Sequence, residues 1–120
     1  MAKRQPEFFL EYILTSIEEI EKNAAKLTPK FFFDSTTIQD AIIRRLEIIG
    51  EACKSLPAGF KKKHPQVEWK KIAGTRDVLI HEYFGVDINL VWKIVENDIP
   101  KLKKEIVKIL NLLGKNRLVK

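Results

Sequence analysis

Apolar side chains return at intervals of three and four along most of this chain, the period of a helix with one buried stripe. The first run, Phe8, Phe9, Tyr12, Ile13, Ile17, Ile20 and Ala24, follows Pro6 and leaves Glu11, Glu18, Glu19 and Glu21 on the other side. It predicts a helix of about five turns that buries this stripe, opened by a proline and stopped near Thr28-Pro29. Beyond the cluster Phe31-Phe32-Phe33, the oxygens of Asp34-Ser35-Thr36-Thr37 offer an N-cap. Ile38, Ile42, Leu46, Ile49 and Cys53 then mark a second long helix that ends before Pro57-Ala58-Gly59, with Phe33 placed to staple its entry.

A polar connection containing Lys61-Lys62-Lys63-His64-Pro65 leads to a third stripe, Trp69, Ile72, Ala73, Ile80 and Tyr83, with Gly85 as terminator. Arg76 falls inside that stripe. Asp87 can cap a fourth segment with Leu90, Val91, Ile94 and Val95 on its apolar face, but Pro100 lacks the N–H that a continuous helix interior needs. A kink or restart near Asn97-Asp98 is therefore expected. Leu102, Ile106, Ile109, Leu110 and Leu113 resume the period, with Lys101, Lys103, Lys104 and Lys108 largely outside and a frayed tail over 115–120 after Gly114. No run alternates as a strand does, and there is no repeat or low-complexity tract. The pattern predicts one all-α domain over 1–120, an antiparallel helical bundle with a kinked or broken C-terminal helix.

Length and composition fit that picture. A chain of 120 residues can bury roughly two-thirds of its unfolded surface without a covalent staple. Its single cysteine, Cys53, cannot form an intramolecular disulfide and sits in a helical-interior pattern, which favours a reducing, cytoplasmic setting. The start lacks the apolar core of a signal peptide, and no stretch has the length of a membrane span. Twenty-two Lys and Arg against sixteen Asp and Glu give a net charge of +6, with local excess at Lys61–Lys63 and from Lys101 to Lys120. That excess permits acidic partners such as RNA and equally serves solubility.

The chemistry is concentrated in Arg76-Asp77-Val78-Leu79-Ile80-His81-Glu82-Tyr83, in a chain with only two histidines and two tyrosines. On a helical wheel Arg76 and Tyr83 lie about 20° apart, while Asp77 and His81 form a separate pair four residues apart. Asp77 can hold the His81 tautomer, His81 can move a proton, Arg76 can set fixed donors against phosphate oxygens, and Tyr83 can position a nucleotide. Such a set suits metal-independent RNA cleavage, in which the ribose 2′-hydroxyl attacks the adjacent phosphorus and charge grows on the nonbridging oxygens. One histidine does not supply both base and acid, so a second copy across a homodimer or a water would complete the set. The same residues have plainer readings: Arg76 paired with Glu47 or Glu51 on the second helix, Asp77 and His81 as an ordinary helix pair, Tyr83 as a core aromatic. His64, beside Pro65 in a lysine-rich loop, is the weaker catalytic candidate. Cys53, His64 and His81 do not have metal-ligand spacing, and Gly85-Val86-Asp87 is not a P-loop, so neither a metal nor a cofactor is expected.

The stretch from Asp40 to Ala52, containing Arg44-Arg45-Leu46-Glu47-Ile48-Ile49-Gly50-Glu51, and that from Trp69 to Asp87 resemble the HepT-like branch of the HEPN superfamily. Val91-Trp92 and Asp98-Ile99-Pro100 extend the resemblance, which covers roughly Phe8 to Leu110. It implies a HEPN-type helical bundle that dimerises and an Arg-x4-His-x-Tyr ribonuclease motif, carried here by Arg76, His81 and Tyr83. Asp77 stands in its polar position after the arginine, where asparagine is also common. It further implies the toxin of a toxin–antitoxin module whose partner is a minimal nucleotidyltransferase able to transfer AMP from ATP onto the motif tyrosine, here Tyr83. The alternative is a noncatalytic nucleotide-binding or partner-binding subunit of a nucleotidyltransferase complex.

Overall fold

The computed structural model describes residues 5–24, 28–81 and 85–114, with positions 80 and 81 described in backbone only. Within them every element is helical: α1 (Pro6–Ala24), α2 (Pro29–Asp34), α3 (Thr36–Ser55), α4 (Ala58–Lys63), α5 (Trp69–His81), α6 (Ile88–Lys93), a π turn (Ile94–Asp98) and α7 (Ile99–Leu112). The all-α bundle is the one expected. No helix among the described residues is long and apolar enough to cross a membrane. The tail 115–120 lies outside the described residues.

The long helix α3 is the centre of the bundle, packed against α1 on one side and α5 on the other, and α7 lies across α1. The stripes read from the sequence supply much of the core, Ile13, Ile17 and Ile20 from α1, Ile42, Leu46, Ile49 and Cys53 from α3, Trp69 from α5, and Leu102, Ile106, Ile109 and Leu110 from α7, and Leu10, Leu14 and Leu79, outside those stripes, are buried with them. Each such side chain contributes roughly 1.5–3 kcal/mol on burial. Burial also pushes the Cys53 thiol up to about 12, against a weaker opposing pull from Lys61.

Two short helices stand where the pattern predicts a stop and a polar loop. Thr28 Oγ1 accepts from the N–H of Phe31, and Pro29 fills the first position of α2, where its missing N–H costs nothing. Phe32, not the expected staple Phe33, is the buried aromatic of this turn and packs on Trp92 with ring centroids 4.9 Å apart. Ser35 ends α2 and caps α3 by accepting from the N–H of Ile38, while Gln39 Nε2 donates to the Phe32 and Phe33 carbonyls at 2.9 and 3.0 Å. The connection after Pro57 folds as α4. Its Lys61 ammonium donates to the Cys53 carbonyl at the end of α3, a favourable place for a cation.

Three positions assigned to apolar stripes are on the outside: Tyr12 at 51% exposure, Leu90 and Leu113. Lys103, expected outside, is instead largely covered and donates to both carboxylate oxygens of Glu21, at 2.9 and 3.1 Å, joining α7 to α1. The break expected near Asn97-Asp98 takes the form of the π turn. Pro100 has no N–H to give the Glu96 carbonyl, and the helix widens just before it, the N–H of Ile99 bonding the Ile94 carbonyl five residues back. The backbone passes from α6 into α7 without leaving helical dihedrals.

Candidate functional site

Arg76 sits in the third turn of α5, on the side that faces α3. Its stem lies over Gly50, where α3 carries no side chain. A Cβ at Gly50 would overlap the Cβ of Arg76 and stand 3.2 Å from the Ile72 carbonyl oxygen. Glycine at position 50 thus permits the close approach of the two helices and forms the seat of the Arg76 side chain. Sequence reasoning missed this role, although a glycine in the middle of a strongly periodic helix, one residue before a candidate ion-pair partner, is the signal that would have found it.

From this seat the guanidinium reaches two carboxylates. Nη2 lies 3.2 Å from Glu51 Oε2, and Nη1 lies 3.1 Å from Asp77 Oδ1. Of the two acidic residues on α3 proposed as partners, only Glu51 is engaged; Glu47 lies 3.6 Å from Arg44 Nη1 instead. Arg76 is 27% exposed, so the pair is wet and worth at most about 1 kcal/mol. Its role is geometric: two anchors fix the plane of a fork with five N–H donors and leave the remaining donors for another acceptor. Asp77 touches Arg76 directly, where the wheel assigned it to His81 alone.

Arg76 opens onto a cleft of about 370 Å³ walled by Phe8, Phe9 and Tyr12 of α1 and by Arg44, Ile48 and Ala52 of α3. The Phe8 and Tyr12 rings stand 5.0 Å apart, and Phe8 meets Phe9 edge-on at 5.3 Å. This side of the site therefore carries two guanidiniums, their carboxylate partners Glu47 and Glu51, and an aromatic wall. Sequence analysis placed these aromatics in the core and did not connect them to Arg76.

The backbone of His81 closes the described part of α5; its side chain lies outside the described residues, as does all of Tyr83. His64 is partly covered, packs on Phe60 with tilted rings 4.7 Å apart and accepts through its carbonyl from Trp69 Nε1 at 2.9 Å, a packing role, and it does not line the Arg76 cleft. Among the described residues no group of three or more His, Cys, Asp or Glu is placed to hold a metal ion.

The family model for ribonuclease HepT-like proteins matches residues 13–109. A Methanocaldococcus jannaschii protein named as a gamma-glutamylcyclotransferase and, provisionally, an RNase is 50% identical over 115 residues, which is 96% of this chain and 52% of that protein. The chain thus spans about half the length of that relative. A Thermococcus cleftensis protein named as a probable ribonuclease HepT is 45% identical over 89% of this chain and 97% of its own length. A second, shorter M. jannaschii protein, provisionally named as an RNase, is 43% identical over 88% of this chain and 97% of its own. No solved structure matches the chain significantly.

Proposed function

The chain belongs to the ribonuclease HepT-like family, and from that membership we propose that it is a metal-independent endoribonuclease acting as a homodimer. In this reading it is the toxin of a toxin–antitoxin module whose antitoxin is a minimal nucleotidyltransferase. The observation that carries the reading is Arg76: a guanidinium fixed by Glu51 and Asp77, with N–H donors to spare, at the rim of a cleft and five residues before His81.

The 2′-hydroxyl of one nucleotide attacks its own 3′-phosphorus. A 2′,3′-cyclic phosphate forms, and the 5′-oxygen of the next nucleotide leaves with a proton. Arg76 binds the nonbridging oxygens as charge builds on them, a contribution of about 10²- to 10³-fold when one such donor is removed. His81 moves the proton, with the second His81 of a homodimer or a water as its counterpart. Asp77 supports the site by holding Arg76, and Tyr83 positions the phosphate. Adenylylation of Tyr83 by the partner would place a phosphate and an adenosine beside Arg76 and compete with RNA.

The double engagement of Arg76 by carboxylates also supports the second reading, a noncatalytic nucleotide-binding or partner-binding subunit in which the arginine is a structural strut. Cleavage of defined RNAs in the presence of a chelator, with analysis of product ends, separates the two. The expected outcome is 2′,3′-cyclic phosphate ends from the unmodified protein, and no cleavage from Arg76→Ala or His81→Ala. Equal activity in all three proteins would assign cleavage to another site. Absence of activity with intact partner binding would select the second reading.

A further inference from the structure

Resting on the ribonuclease reading of Arg76, we propose that the adjoining cleft is a nucleobase subsite: it takes one unstacked base of the RNA, laid on the ring of Tyr12, while the neighbouring phosphate reaches Arg76 and Arg44. The substrate class follows: single strands and loops, since a base already stacked in a duplex cannot enter.

Tyr12 is an aromatic ring on the first helix with half its surface open, well round the helix from the side that α1 buries. Phe8 lies against it one turn earlier on α1, with ring centroids 5.0 Å apart. The cleft of about 370 Å³ falls in the range of ligand pockets, about 300–1,000 Å³. Its walls divide the work as a nucleotide requires, with aromatic faces on the α1 side and guanidiniums on the α3 and α5 side.

Charge fixes the direction. Beyond Tyr12 a shallow hollow lined by Glu7, Phe8, Glu11, Tyr12 and Thr15 carries carboxylates and no cation, whereas in the cleft Glu47 and Glu51 are each matched by a guanidinium. The backbone must therefore run along the arginines and turn the base toward α1. Glu47 and Glu51 also line the cleft, engaged with Arg44 and Arg76 through one oxygen each, and a carboxylate oxygen there can accept from the amino or imino hydrogens of a base.

The test is the affinity of the full chain for fluorescein-labelled 2′-O-methyl RNA, single-stranded and duplex, by anisotropy, for the unaltered protein, Tyr12→Phe and Tyr12→Leu. The 2′-O-methyl group removes the nucleophile, so binding is read without cleavage. The single strand should bind tighter than the duplex. Tyr12→Leu, which keeps apolar area but removes the ring face, should weaken single-strand binding about tenfold, and Tyr12→Phe should stay within about twofold. In cleavage of ordinary RNA the leucine variant should raise KM more than it lowers kcat. Unchanged binding by Tyr12→Leu, or a preference for duplex, overturns the subsite even if cleavage is intact. A change in sedimenting mass on Tyr12→Leu also overturns it and gives this face to a second copy of the chain. Absence of all cleavage with Tyr12-dependent binding preserved would remove the ribonuclease reading and leave the base subsite standing.

Discussion

Two hollows flank the packed pair of α3 and α5, and they differ in what lines them. On one side Ile49, Ile72, Ile94, Ile99 and Leu102 enclose a pocket of about 130 Å³ under the π turn, with a rim of charged residues that includes the Lys101–Glu68 pair at 3.7 Å. On the other side lies the wider cleft with Arg76, Arg44 and the α1 aromatics. The more enclosed hollow has an aliphatic floor under a rim of mixed polar and charged residues, Gln66, Glu68, Lys71, Thr75, Asp98, Lys101 and Glu105. The more open one has the fixed cation. Concavity alone would select the first; the chemistry selects the second, because a phosphate needs oriented donors more than it needs walls.

The contrast breaks most sharply at Arg76. Arg76→Ala should lower kcat/KM for RNA by about 10²- to 10³-fold with little change in melting temperature, since a half-exposed pair contributes at most about 1 kcal/mol. Ile49→Ala, on the opposite hollow, should do the reverse. It should cost about 2–5 kcal/mol in denaturant unfolding, through lost burial and an enlarged cavity, while the folded fraction cleaves normally. If Ile49→Ala abolished cleavage by fully folded protein, the assignment of the chemistry to one side would fail.

Gly50→Ala joins both sides. The added methyl must push α5 away at Arg76, at a cost of about 1–3 kcal/mol, and should lower both melting temperature and activity. A stability loss with activity intact would show that the seat does not position the guanidinium.

Cys53 reports on the closed core of α3, outside the lining of either hollow. Its thiol, pushed by burial from 9.0 to about 12, stays protonated when folded but ionises when unfolded. Its contribution to stability is therefore complete below pH 9 and falls as pH rises from about 9 toward 12. Native protein should resist thiol reagents at neutral pH and react fully in denaturant, as measured by colorimetric thiol titration. The smallest effect belongs to Lys101→Ala, within about 0.5 kcal/mol and without consequence for cleavage, because both partners of that pair are exposed.

Much of this was readable in the chain. Ile13, Ile17, Ile42, Leu46 and Ile106 are buried because a period of 3.6 fixes which residues share a side. A three-to-four spacing from Phe8 and Phe9 draws Tyr12 into the stripe, but at 100° per residue it lies well round the helix from Leu10, Ile13, Leu14 and Ile17, and it stands in the open. Helices α2 and α4, of six residues each, are too short to display a period; α2 is set by the Thr28 cap and Pro29, and α4 starts after Pro57 without a side-chain cap and is tied to α3 by Lys61. Pro100 marked the place of a break but not its kind. At the candidate site, the spacing from Arg76 to His81 is what the proposed chemistry rests on, and Glu51 stood among the two partners considered. The seat at Gly50 and the cleft beyond it arise from residues distant in sequence, and no local pattern encodes such a meeting.

The seat has a consequence for how activity would vanish on heating. Arg76 is aligned by a contact between two helices separated in sequence by the whole α4 connection, so no fragment containing the motif alone inherits its geometry. A partly synthesised or unravelled chain carries the arginine without the alignment. Heat inactivation should accordingly follow the cooperative separation of α3 from α5, in a single step, and not the gradual fraying of the chain ends.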